Sequence, residues 1–143
     1  MTTHIEIDGL SKHYDLGHQT VRALAGVSLA IEAGSMVAIM GASGSGKSTL
    51  MNLLGLLDTP SSGSYRIGGR EVAGLSDGAR SRERRERIGF IFQSHNLLGF
   101  LTAGQNVAMA LELRPGLTEA DRQQRAAAML EAVGLAEYVD VPP

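Results

Sequence analysis

Gly41-Ala42-Ser43-Gly44-Ser45-Gly46-Lys47-Ser48-Thr49 fits the pattern G-x-x-x-x-G-K-[ST], and no other stretch limits the possible folds of this chain so sharply. The pattern carries meaning only where a strand delivers the chain into the loop and a helix carries it away. Both neighbours are present. Met36-Val37-Ala38-Ile39-Met40 is an apolar run of buried-strand length, and Leu50-Met51-Asn52-Leu53-Leu54-Gly55-Leu56 continues as an apolar helix start. The expected fold class is α/β, built around a strand–loop–helix unit of the P-loop type.

The composition of the loop implies an anion site for a nucleoside triphosphate. A triphosphate concentrates negative charge, which successive backbone N–H groups and the positive end of the following helix can meet. Gly41, Gly44 and Gly46 permit a tight curl and a close approach that a Cβ would block. Lys47 is spaced to reach the β- and γ-phosphates and the Ser48 hydroxyl to ligate Mg²⁺, with Ser43, Ser45 and Thr49 as further nucleotide-binding candidates. A purely structural glycine turn would not require Lys-Ser after a strand. A dinucleotide fingerprint is excluded, because Gly44-Ser45-Gly46-Lys47-Ser48-Thr49 ends in Thr where that motif requires Gly or Ala.

The chain has 143 residues, 43% hydrophobic and 20% charged, which is enough for one domain with a core. A formal net charge of −2 argues against a protein whose main task is to grip a nucleic-acid backbone. Cysteine does not occur, so there is no disulfide, thiolate metal site or cysteine nucleophile, as expected in a reducing cytosol. His4, His13, His18 and His95 lack metal-ligand spacing and read as surface or loop residues. The start Met1-Thr2-Thr3-His4-Ile5-Glu6 has neither the basic nor the apolar part of a signal peptide, and no apolar segment approaches the roughly 18 residues of a membrane span. Any membrane connection is expected to come through a partner.

Along the chain, Ile5-Glu6-Ile7 and Val27-Ser28-Leu29-Ala30-Ile31 alternate as strands and suggest an antiparallel β lead-in. Asp58-Thr59-Pro60-Ser61-Ser62-Gly63 is turn chemistry, with Asp58 read as a turn residue, and Ser64-Tyr65-Arg66-Ile67 is a short strand before Gly68-Gly69. Asp77 to Arg87 reads as a charged helix. Its Arg80, Arg82, Arg84, Arg85 and Arg87, mixed with Glu83 and Glu86, fit a solvated face and not a nucleic-acid surface, since no aromatics are interleaved. Ile88-Gly89-Phe90-Ile91-Phe92 reads as a second buried strand. Thr102-Ala103-Gly104-Gln105 caps a helix expected to run through Leu113, and Thr118-Glu119-Ala120-Asp121 caps another to about Val133. In the latter, Ala126, Met129, Leu130 and Val133 form an apolar row.

Several of these features together carry a resemblance. They are Tyr14, the loop at 41–49, the turn from Asp58, Arg84-Arg85-Glu86-Arg87-Ile88-Gly89-Phe90-Ile91-Phe92-Gln93, Asn96-Leu97-Leu98, and Leu101-Thr102-Ala103-Gly104-Gln105-Asn106-Val107. The set resembles the ATP-binding subunit of ABC transporters, most like the macrolide-export and lipoprotein-release group, over residues from about 4 to 140. The resemblance implies ATP and Mg²⁺ as ligands, with Tyr14 stacking on adenine, Val21 flanking the same ring, and Gln93 joining the Mg²⁺ and attacking-water environment beside Lys47. It also implies transmembrane permease subunits and a second ATP-binding subunit as partners, a dimer, no nucleic acid, and a cytoplasmic position on the inner face of the membrane. Residues 1–93 are then a nucleotide-binding core and 94–143 the start of a helical subdomain.

In that family a Leu-Ser-Gly-Gly-Gln signature, an Asp-Glu strand end and a switch histidine follow. The sequence stops at Val141-Pro142-Pro143, about where the signature begins. Leu101-Thr102-Ala103-Gly104-Gln105 resembles the signature in letters but lies only eight residues beyond Gln93, where the family carries a similar run. The expectation is a chain that holds the ATP-binding half and does not hydrolyse ATP alone. A nucleotide-binding fragment without turnover and a small P-loop kinase are the alternatives.

Overall fold

A computed structural model describes residues 3–112, 114 and 116–143. The chain divides into two compact units, Met1–Phe90 and Ile91–Pro143.

The first unit opens with two long strands, β1 (Thr3–Asp15) and β2 (Thr20–Glu32), which pair antiparallel across a short loop closed by the Leu16 N–H donating to the Gln19 carbonyl at 3.0 Å. The alternation at 5–7 and 27–31 therefore marks only the inner part of each strand. Register shifts, one of them between Ile7 and Leu10, break the period of two and hide the rest from a pattern search. β3 (Ser62–Ile67) pairs with β1, and β4 (Arg70–Glu71) with β3, giving an antiparallel sheet of order β2-β1-β3-β4.

The helix α1 (Lys47–Leu54) buries Leu50 and Leu53, one turn apart on one face. With Leu56 they join Ile7, Leu10, Leu24, Tyr65, Ile67 and Val72 in a single core. Tyr65 does more than fill space. Its ring is 1% exposed, and its hydroxyl donates to the Leu54 carbonyl at 2.7 Å, one of the last carbonyls of α1, which a helix cannot satisfy internally. Burial also pushes the Tyr65 phenol pKa well up, so the hydroxyl stays a donor.

Two expected strands do not form. Neither 36–40 nor 88–92 enters a ladder among the described residues, and Met36 and Ile91 are fully exposed. A strand is defined by a ladder with a neighbouring segment, and neither run takes part in one among those residues. Ile39 and Ile88 still pack against the core, and the Phe90 ring covers Gly55 so closely that a Cβ there would lie 2.7 Å from it.

The charged helix α2 (Asp77–Arg87) forms as read, but its charges are not all solvated. Glu83 is 3% exposed and is ion-paired to Arg70 from β4 and to Arg87 Nε at 2.8 Å. Arg84 Nη1 donates to the Leu56 carbonyl at 2.8 Å. Residues that look like a wet face thus fasten the helix to the turn after α1.

In the second unit, α3 (Ala103–Met109) and α4 (Glu119–Ala132) both begin with complete capping boxes, at Thr102/Gln105 and Thr118/Asp121. α3 stops at Met109, since Leu111 and Glu112 donate to carbonyls three residues back in place of four; Leu113, where the sequence puts the end, lies outside the described residues. Of the apolar row on α4, Ala126 and Leu130 are buried, whereas Met129 is 53% and Val133 69% exposed. α3 packs against α4, and the covered pair on α4 is Ala126 and Leu130, one i, i+4 step apart. A one-turn 3₁₀ helix, Ala136–Tyr138, follows.

Tyr65→Phe keeps the packing and orphans the Leu54 carbonyl. A loss of about 1 kcal/mol is expected in urea unfolding, with unchanged m; wild-type stability would show that the hydroxyl contributes nothing to holding α1.

Candidate nucleotide-binding site

The loop before α1 is shaped by how closely it approaches β2. Gly46 is the N-cap, at φ 91° and ψ 5°, and a Cβ placed on it would lie 2.5 Å from the Ala23 carbonyl oxygen. Only glycine satisfies both the left-handed backbone and the contact. At Gly41 a Cβ would meet Ser45 Oγ at 2.7 Å, so the entrance to the loop is equally tight. The first intrahelical bond is Leu50 N–H to the Gly46 carbonyl at 2.9 Å, which leaves the earlier N–H groups of α1 without helical partners. No side chain caps them and no acidic residue sits in the first turn, so the positive end of the helix is open to an anion.

Lys47 arches back over the loop, its Nζ donating to the carbonyls of Gly41 at 2.8 Å and Ala42 at 2.6 Å, with Ser45 Oγ at 3.5 Å. A cleft of ≈ 340 Å³ opens here. Ser43, Gly44, Gly46, Lys47, Ser48 and Thr49 form one wall, and Val21, Arg22 and Ala23 of β2 the other. Arg22 and Ala23 are not apparent from the motif; they come into the site because Gly46 rests on β2.

Tyr14 and Val21 are register partners across β1 and β2 and are each about one-third exposed. The Tyr14 hydroxyl donates to Asp58 Oδ2 at 2.8 Å. Lys12 Nζ donates to Asp58 Oδ1 and to the Thr59 carbonyl, both at 2.7 Å, and stands 4.9 Å from the centre of the Tyr14 ring. The hydrogen bond to Asp58 raises the Tyr14 phenol pKa, helped by burial and the carboxylate's charge and opposed by a hydrogen bond from Thr49. Burial pushes the Asp58 carboxyl up, but hydrogen bonds from Lys12, Tyr14 and the Thr59 N–H outweigh it and hold the group below its ordinary range. Asp58 therefore does lie in a turn, yet it is also the hub of a polar cluster. The one hint in the sequence is that Lys12 and Lys47 are the only lysines.

Gln93 stands in the second unit, in an exposed turn after Phe92. The structure thus brings the loop and Val21 to one cleft, with Tyr14 beside Val21 across the β1–β2 ladder, all within the first unit.

A glycine cradle at a helix N-terminus, a lysine held over it and a β wall beside it define a P-loop nucleotide-binding domain. The family model described as "ABC transporter" matches residues 24–143. The chain is 49% identical over all of its residues to the macrolide export ATP-binding/permease protein MacB of Salmonella choleraesuis. It is 53% identical, over 94% of its length, to the MacB of Bdellovibrio bacteriovorus. It spans 22% and 20% of the length of these two relatives. Among solved structures, a dimeric post-hydrolysis state of the ATP-binding cassette MJ0796 bound to ADP and Pi matches at TM-score 0.84 and 36% identity, over 97% of this chain and 61% of that one. A second dimeric structure of MJ0796, described as a bacterial ABC transporter cassette, matches at TM-score 0.83 and 37% identity. The chain belongs to the ABC transporter family, as part of its α/β ATP-binding domain, which removes the small-kinase alternative. Among the described residues no helix is long and apolar enough to cross a membrane.

Gly46→Ala tests the close approach. The left-handed backbone alone costs a non-glycine residue about 1–2 kcal/mol, and the clash with Ala23 adds to it. Lost nucleotide binding and a lowered unfolding midpoint are expected; a variant that binds as wild type would show that β2 does not constrain the loop.

Proposed function

We propose that this chain binds ATP with Mg²⁺ as the nucleotide-binding part of a transporter that couples ATP binding and hydrolysis to movement through a transmembrane permease. The observation that carries this is the cleft itself, where the open N-terminus of α1, the Lys47 ammonium and the serine hydroxyls face one space. Lys47 exchanges its two loop carbonyls for phosphate oxygens, a stronger charge-assisted pairing. The residues fit the metal: Mg²⁺ takes most of its ligands from phosphates and water, so one hydroxyl, Ser48, is a sufficient protein ligand. Its chemistry there is to neutralise phosphate charge.

Tyr14 stacks on the adenine and Val21 flanks it, in keeping with their partly exposed positions side by side at the end of the β1–β2 hairpin. Gln93 positions water and Mg²⁺ and links the site to the membrane part. The second unit is the beginning of the helical subdomain that makes this link. The relatives' name, ATP-binding/permease protein, supports a transmembrane permease as partner, and the dimeric cassettes support a second copy of the nucleotide-binding domain. The position that follows is the cytoplasmic face of the membrane, with no nucleic-acid role.

Lys47→Ala is expected to weaken ATP binding at least tenfold, about the 1.4 kcal/mol or more that charge-assisted phosphate bonds supply. Calorimetry on the folded variant checks this, and unchanged affinity sinks the proposal. Turnover is a separate matter. A phosphate cradle positions the triphosphate, whereas hydrolysis also requires an oriented water and stabilised charge at the transition state. Residues 1–143 are therefore expected to release phosphate from ATP no faster than the Lys47→Ala variant. Sustained Lys47-dependent release would place the catalytic carboxylate within these residues.

A further inference from the structure

We propose that Lys12 and Asp58 are positioning residues for the base end of the nucleotide site, holding the Tyr14 ring as a fixed one-sided platform; this rests on reading the cleft as an ATP site. The need for such a device follows from where Tyr14 sits. It is next to the last residue of β1, half-exposed at the end of a hairpin, where a ring tethered only by its own backbone samples several rotamers. A base that stacks on a free ring must order it first, and that cost is taken from the affinity.

The polar cluster removes this freedom. The Asp58 carboxylate accepts the Tyr14 hydroxyl on one oxygen at 2.8 Å and the Lys12 ammonium on the other at 2.7 Å. The Lys12 side chain is only 12% exposed and its Nζ is also tied to the Thr59 carbonyl, so the ammonium is fixed 4.9 Å from the ring centre. One face of the ring carries a cation, and the base takes the other.

Asp58 is itself held to α1. After that helix the chain reverses through Leu56, a non-glycine residue at φ 55°. Leu56 is 2% exposed and its carbonyl is bound by Arg84, so packing and a charged hydrogen bond sustain the unusual backbone. The reversal returns the Asp58 N–H to the Asn52 carbonyl at 3.3 Å, beside the helix whose first residue is Lys47. One rigid segment thus carries the phosphate loop at its start and the support of the base platform at its end. The spacing between the two ends of a nucleotide is built into α1 and its turn.

The experiment compares ATP with inorganic tripolyphosphate, which has no base, as calorimetric ligands of the full chain in the wild type and in Lys12→Met, Asp58→Asn and Lys12→Arg variants. About a five- to tenfold loss of ATP affinity is expected in Lys12→Met and Asp58→Asn, within the range that base–aromatic stacking spans, with tripolyphosphate affinity changed less than about twofold. Lys12→Arg keeps a cation that can pair with Asp58 and stack on the ring, and is expected to recover most of the ATP affinity. Equal losses for both ligands would reduce the pair to a structural role and overturn the proposal, as would unchanged ATP affinity. Failure of the wild type to bind either ligand would instead overturn the nucleotide reading, and the positioning role with it.

Discussion

The contact between Gly46 and the Ala23 carbonyl is the constraint on which the rest of the site depends. A backbone oxygen standing 2.5 Å from where a Cβ would begin fixes the turn into α1 against β2. That one approach sets the direction of the helix dipole, brings Val21, Arg22 and Ala23 opposite the loop, and makes a cleft of what would otherwise be an exposed turn. It explains why an antiparallel lead-in precedes a P-loop in this chain at all. The long hairpin is one wall of the cleft, and its end carries Tyr14 and Val21, the residues proposed to read the base.

The far end of α1 is held by different means. Tyr65 binds the Leu54 carbonyl from below, and Arg84 binds the Leu56 carbonyl from α2, itself anchored through the buried Glu83. A buried carboxylate between two arginines is costly to desolvate and gives little net stability, but it allows few alternative placements of the helix that carries it. Placement is what the site requires. The proposed base platform and phosphate cradle must keep their separation, and an eight-residue helix with both ends fastened does so.

The loop with Lys47, the inner parts of the lead-in strands and the two capping boxes were legible in the sequence because each is written in contiguous residues whose chemistry is local. What was not legible depended on partners distant along the chain. Asp58 looked like turn punctuation, since the residues that give it a task, Lys12 and Tyr14, lie more than forty positions earlier. Glu83 looked solvated because its neighbours on the helix are arginines, and its partner Arg70 comes from β4, outside the sequence pattern of the helix. The runs 36–40 and 88–92 were read as buried strands from composition alone, but a strand is a relation between segments, and no described segment lies beside them in a ladder. The contact of Gly46 with β2 is likewise invisible in a motif that specifies glycine without saying what presses on it.

The two lysines show how partner chemistry divides one residue type into two tasks. Lys12 donates to a carboxylate and a carbonyl and is largely covered, so its charge is already neutralised and its position settled. Lys47 donates to two carbonyls, which bear partial charge only, at the edge of an open cleft. An arriving polyphosphate therefore offers Lys47 better acceptors than those it holds, whereas no ligand improves on Asp58 for Lys12. In the proposed site, the binding cation is the one whose resting partners are weak enough to be exchanged, and the positioning cation is the one whose partner is not.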